Sequence, residues 1–373
     1  MNVKVTATGE TTSLADRKRR AGQRLFVGFE HARVDDDVRR IARELKPAGW
    51  VLFARNVEEP KQVLELNREL VDLSDKARPS MIAVDQEGGR VQRIREPATR
   101  WPPMRVVGRA SPDQKLTSDV SRAMARELRA MGFHVNFAPV ADVDSNPKNP
   151  IIGDRSFDDS PDRVSKHIVA FLKAHQAEGI AACAKHFPGH GDTTQDSHLH
   201  LPLIEKDEPD LRHVELPPFA AAVNAGVASV MTAHVVFAAF DEDLPATLSP
   251  RVTKRLLRDE LKFDGVVFSD DLEMKAVAGR WPPEEIAKMA SEAGVDTFLC
   301  CRDIGLQLAM FEALVRLQEE DPAFDRLCTT SENRMMRMRE RFLLGERQPI
   351  GLDVVGCGQH RDLAALVANR GAP

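Results

Sequence analysis

Short runs rich in apolar and β-branched residues recur at Arg24–Phe29, Gly49–Phe53, Met81–Val84, Val135–Val140, Ile180–Ala184, Ser229–Ala233, Gly265–Phe268 and Thr297–Cys300. Between them lie segments with helical periodicity: 36–45, 60–76, 114–131, 161–178, 211–225, 250–261 and 283–293, then Gly305 onward. Several of these helices open with Pro in the first turn, as in Ser160-Pro161 and Ser249-Pro250, where a missing N–H costs nothing. Strand and helix alternating eight times along the chain predict an α/β fold, a single (β/α)8 TIM-type barrel. The barrel is placed at 22–345. An N-terminal extension precedes it at 1–21, with a short helix near 14–23, and a C-terminal tail at 346–373 follows whose order the pattern leaves open.

Composition adds limits. Of the 373 residues, 42% are hydrophobic and 29% charged, the balance of a soluble globular protein with ample material for a core. A net charge of −5 gives no electrostatic reason to expect a nucleic-acid or membrane partner. The five cysteines are odd in number and lack paired metal spacing, which favours buried thiols in a reducing compartment. The polar N-terminus has no continuous apolar core of a signal peptide. A cytoplasmic location and a monomeric state are the expectations.

The densest chemistry is the stretch Lys185-His186-Phe187-Pro188-Gly189-His190-Gly191-Asp192-Thr193-Thr194-Gln195-Asp196-Ser197-His198. An apolar run delivers it, and glycines on either side of His190 make it loop-like, mobile and able to close over a ligand. Other charged motifs follow the third, fourth, sixth and seventh strand candidates. The carboxyl ends of barrel strands form the catalytic face, so these segments converge on one pocket. Asp270, after Val266-Val267-Phe268-Ser269, is held at that mouth and is the candidate nucleophile, with N-capping of the next helix as the plainer role for it or for Asp271.

The stretch resembles the signature of family 3 glycoside hydrolases of the β-N-acetylglucosaminidase type. Four more motifs match the same family in order: Asp85-Gln86-Glu87-Gly88-Gly89-Arg90-Val91-Gln92-Arg93, Asn136-Phe137-Ala138-Pro139-Val140-Ala141-Asp142-Val143, Gly153-Asp154-Arg155-Ser156-Phe157 and Phe268-Ser269-Asp270-Asp271-Leu272-Glu273-Met274. The resemblance covers roughly residues 22–305. It implies a retaining glycosidase that removes terminal N-acetylglucosamine from peptidoglycan turnover fragments, a GlcNAc-anhydro-muropeptide-like carbohydrate, without a cofactor. It assigns Asp270 as nucleophile, an Asp196–His198 acid/base pair, and Asp85, Arg93, Arg155, Lys185 and His186 as sugar ligands.

By residue chemistry alone, an imidazole suits proton transfer near neutrality and Asp196 stands close enough in sequence to orient it, although Asp-Ser-His also forms simple turns. Asp85 pairing with Arg90 or Arg93, and Arg155 capping the turn at Gly153-Asp154, are the structural alternatives. His190, His234 and Asn136 are candidate supports, Asn136 with Asp142 as orienters of Arg155 or Lys185. With no Tyr in the chain, an aromatic platform falls to Phe or Trp, such as Trp101 or Trp281. Three rival readings stand. A metal-dependent hydrolase has candidate ligands in His186, His190, His198, His200 and Asp270 but lacks an early His-x-His, so no metal is expected. The other two are a non-catalytic sugar-binding barrel and a glycoside phosphorylase.

Overall fold

The computed structural model describes residues 12–193 and 201–372. Eight parallel strands close into a barrel: β1 (Leu25–Val27), β2 (Gly49–Leu52), β3 (Met81–Val84), β4 (Val135–Asn136), β5 (Ala181–Phe187), β6 (Ser229–Thr232), β7 (Val266–Asp271) and β8 (Thr297–Cys300). Neighbours pair in chain order, and β1 closes the ring on β8 with Leu25 opposite Phe298. Every run expected to be a strand supplies one.

These strands read as continuous apolar runs because both of their faces are buried. Alternate side chains point inward: Phe26, Val51, Met81, Ala83, Phe137, Cys183, Met231, Phe268 and Leu299 pack in the barrel interior. Phe268 meets Phe26 and Phe137 edge to face, with ring centroids 5.1 and 5.3 Å away. Replacing so enclosed a Phe by Ala costs about 3–5 kcal/mol. The other face, including Leu25, Val27, Trp50, Leu52, Ile82 and Val84, packs on the surrounding helices. Met335, Met338 and Phe342 join the interior cluster from helix Pro322–Arg339 and the turn beyond it, and Arg339 donates to Pro79 O just before β3. They pack into the N-terminal end of the barrel interior.

Helices Asp36–Leu45 and Pro283–Ala293 have the expected limits, and Ser160 and Ser249 cap their helices through their hydroxyls. Segment 211–225 is two helices, Glu208–Val214 and Leu216–Asn224, broken at Glu215 ahead of Pro217-Pro218. Pro250–Glu260 is wound in π form, which an apolar stripe does not distinguish from α. Within 346–373, helix Gly358–Arg370 packs on helices Met104–Ala110 and Lys115–Ala130. Buried Glu127 fastens it, accepting from Gly356 N and His360 Nδ1 as well as from the backbone N–H and hydroxyl of Thr99.

Candidate active site

Strand ends and the loops after them bring Asp85, Arg93, Arg155, Lys185, His186, His190 and Asp270 to one cavity of about 170 Å³ at the C-terminal mouth. β5 runs through Phe187, so Lys185 and His186 belong to a strand, not to the loop expected there. Hydrogen bonding to β6, with Lys185 opposite Met231 and Phe187 opposite Thr232, holds that extension rigid. The Lys185–His186 and Phe187–Pro188 peptides are cis.

Charge organises the floor of the cavity. The Lys185 ammonium lies 2.7 Å from both Asp85 Oδ1 and Glu87 Oε1. Asp85 and Glu87 are two apart on extended chain, a spacing that places them on one face. Arg155 grips Glu87 with two parallel bonds, Nε to Oε2 at 2.8 Å and Nη2 to Oε1 at 2.9 Å. Burial alone would raise the Asp85 and Glu87 pKa values, but the cations overcome it, Lys185 and Arg93 at Asp85, Arg155 and Lys185 at Glu87, and both carboxyls stay below the usual range. Burial opposes the charge on Lys185 and Arg155 too, yet the same carboxylates hold both pKa values above normal. All four groups are charged at neutral pH.

Asp270, on β7, has its carboxyl held below the usual range. Burial pushes the other way, and His186, His234, the backbone N–H of Asp271 (2.8 Å to Asp270 Oδ1) and Lys185 outweigh it. Neither Asp270 nor Asp271 caps the next helix, Lys275–Ala278, whose N-cap is Met274. Asp271 instead accepts from Glu273 N within a turn, and burial with the nearby Glu273 pushes its carboxyl up to about 7.

Asp142 supports β5 from the adjacent segment. Its Oδ1 accepts from the backbone N–H of His186 and of His190, and its Oδ2 takes the His186 Nδ1 proton at 2.7 Å. This donation fixes the orientation of the His186 ring. His190 Nδ1 lies 2.8 Å from Thr193 Oγ1, and burial with the neighbouring His186 lowers its pKa to about 4. His234 is buried, with Nδ1 2.7 Å from Thr247 Oγ1 and Nε2 3.1 Å from Asp271 O.

Asn136 orients neither Arg155 nor Lys185. It bonds to Gln86 N and O, both at 3.0 Å, and so fixes the strand end between Asp85 and Glu87. Arg93 takes the structural alternative and the site at once, 3.4 Å from Asp85 while lining the cavity; Arg90 goes to Asp154 instead. Trp101 is not a platform: it is 3% exposed and backs a groove of about 1140 Å³ between residues 96–106 and the C-terminal helix, away from every expected site residue. Trp281 packs against the core. The aromatic rings in the cavity wall are Phe53 and Phe137, with the Arg93 guanidinium 5.5 Å from the Phe53 centroid. Glu87 and Asp142 carry more of the geometry than their motifs suggested; the period-2 spacing of Asp85 and Glu87 was the available signal for the first, and the second, expected to orient Arg155 or Lys185, holds His186 and His190 instead. Asp196, His198 and His200 lie outside the described residues. Among the described residues, no group of three or more His, Cys, Asp or Glu is placed to hold a metal ion.

The glycosyl hydrolase family 3 N-terminal domain model matches residues 18–327. The chain belongs to glycoside hydrolase family 3. Within the family it is 40% identical over 294 residues to a β-hexosaminidase of Thiobacillus denitrificans, an alignment covering 78% of this chain and 80% of that one. The family 3 β-N-acetylglucosaminidase of Paenibacillus sp. superposes with a TM-score of 0.90 at 35% identity, over 95% of this chain and 68% of that one. NagZ of Neisseria gonorrhoeae superposes with a TM-score of 0.76 at 30% identity, over 94% and 98% of the two chains.

Proposed function

We propose that this family 3 hydrolase is a retaining exo-β-N-acetylglucosaminidase that releases terminal non-reducing N-acetylglucosamine from peptidoglycan turnover fragments in the cytoplasm. The observation that carries the reading is the ionised Asp270 carboxylate at a cavity sized for one sugar and lined by paired cations and carboxylates. Asp85 accepts from sugar hydroxyls, while Arg93, Arg155, Lys185 and His186 complete the hydrogen-bonding ring. Support for the sugar's identity comes from relatives: the gonococcal NagZ has been crystallised with N-trifluoroacetyl-D-glucosamine. That no helix among the described residues is long and apolar enough to cross a membrane is compatible with the reading.

In the proposed reaction, an Asp270 oxygen attacks the anomeric carbon as the glycosidic C–O bond breaks, and the His198 imidazolium gives its proton to the departing oxygen. The now neutral imidazole, oriented by Asp196, then takes a proton from water. That water displaces Asp270 from the anomeric carbon and restores the imidazolium. The test is intact-mass spectrometry after mixing the protein with an activated 5-fluoro N-acetylglucosaminide. A one-sugar adduct mapped to Asp270, absent in Asp270→Ala, is expected; continued cleavage of an aryl β-N-acetylglucosaminide without any adduct at Asp270 overturns the assignment.

A further inference from the structure

Beneath the loop that leaves β5, one buried carboxyl has no part in the chemistry described so far. Glu215, at the break between the two helices of 208–224, is 1% exposed. Its Oε1 accepts from Ser145 Oγ at 2.7 Å and faces Lys206 Nζ at 3.5 Å, while its buried Oε2 has no hydrogen-bond partner among the described residues. The same Lys206 ammonium lies 3.4 Å from Asp192 Oδ1 on the loop.

The loop backbone is wedged against this cluster. At Gly189, φ is +138°, and a Cβ there would stand 2.8 Å from Glu215 Oε2. On the opposite side, a Cβ at Gly191 would stand 1.6 Å from Val143 O. Asn149 donates to the carbonyls of His190 and Gly191, both at 2.8 Å, and Asn146 reaches Asp192 O. The glycines are therefore required by close approach, and a charged chain runs from this loop root to the body of the barrel through Asp192, Lys206 and Glu215.

We infer that Glu215 and Lys206 are positioning residues, a charge strap that fixes the root of the loop leading to Asp196 and His198, and that the strap holds when Glu215 is ionised. The charged groups facing Glu215 are Lys206, Asp192 and Asp142, one cation and two acids. Burial pushes the Glu215 carboxyl up to about 7, against Ser145 and Lys206, which favour its charge. It is therefore ionised above about pH 7 and neutral below. On protonation Lys206 keeps Asp192 but loses its anchor in the barrel, and the loop root loosens.

The inference rests on the acid/base role proposed for His198, so its test separates the two. The test compares a glycoside with a poor leaving group, the N-acetylglucosaminyl disaccharide, with a dinitrophenyl glycoside, whose departure needs no proton. Glu215→Gln keeps the shape and the Ser145 hydrogen bond but not the charge. The expected result is a roughly tenfold fall in disaccharide kcat/KM at pH 8, fading to none at pH 5.5 where wild-type Glu215 is already neutral, with little change in kcat/KM for the dinitrophenyl substrate, which reports only the step that needs no proton. Lys206→Met should do the same, and the double variant no more than either single one.

Hydrogen exchange reads the strap without reference to chemistry: in Glu215→Gln at pH 8, amides of 189–193 should exchange several-fold faster and those of 142–149 unchanged. Unchanged exchange in both variants, or equal losses on both substrates at every pH, overturns the strap. If His198→Ala lowers kcat/KM equally for both substrates, the acid/base reading fails instead, and the exchange result still decides the strap.

Discussion

At the N-terminal end of the barrel, Asp296 is 1% exposed and its oxygens are fully engaged: Oδ1 takes Ser331 Oγ and Arg334, and Oδ2 takes Arg258 and Val267 N. Arg258 and Arg334 hold the Asp296 carboxyl below its usual range against burial, and at the mouth the Asp85–Lys185–Glu87–Arg155 cluster is likewise charged and likewise shifted from ordinary pKa values. Its saturation differs. Glu87 is occupied by Arg155 and Lys185, but among the described residues Asp85 Oδ2 has only Arg93, at 3.4 Å, and faces a cavity. A perturbed pKa therefore fails to tell the two ends apart. What separates a structural clamp from a binding floor is hydrogen-bonding capacity left over and aimed at open space.

The comparison can be broken by removing one acid from each end. Asp270→Ala at the mouth should lower kcat on an aryl β-N-acetylglucosaminide by roughly 10⁴-fold or more with a near-native melting temperature. Asp296→Ala should do the reverse. It strands Arg258 and Arg334 beside a buried gap and should cost about 3–5 kcal/mol in urea unfolding, while kcat per folded molecule holds. An Asp296 variant that stays stable but loses turnover would erase the distinction.

A smaller effect comes from pH. Burial lowers His134, His167, His175 and His190 to about 4. Their folded pKa values are below the unfolded ones, so the unfolded chain takes up protons first and stability is lost as pH falls from about 6.5 toward 4. Glu215 and Asp271, raised to about 7, act oppositely, relieving a cost of burial as they protonate between about 7 and 4. Four groups outweigh two, and linkage gives a net loss of about 2 kcal/mol between about pH 7.5 and 5.5. Below about 4 the depressed carboxyls at both ends protonate and add to the loss. Denaturant midpoints measured across this range check the sign; a rise on acidification would mean that the acids dominate.

Smallest is Arg155→Lys. A point charge replaces a two-bond fork on Glu87, and KM should rise roughly tenfold with kcat nearly kept. An unchanged KM would move Arg155 to the same class as Arg258, a clamp rather than part of the floor.

Much of this was legible in one dimension. Apolar runs are local, and a buried parallel strand needs little else, so all eight strands were readable. The Asp85, Arg155, Lys185 and Asp270 motifs were likewise placed at the mouth by where they stand relative to strand ends. Proline at Ser160-Pro161 and Ser249-Pro250 fixed helix starts by backbone chemistry alone. Only tertiary structure decided the partners. Lys185 reaches Asp85 from 100 residues away and Arg155 reaches Glu87 from 68. It also decided that Asn136 serves Gln86, that Trp101 faces a groove away from the site, and that a lone Glu between two helices lies under the loop at Gly189. Propensity and periodicity act between chain neighbours, whereas a side chain's hydrogen-bond partners exist only after barrel closure brings remote strand ends within about 3 Å.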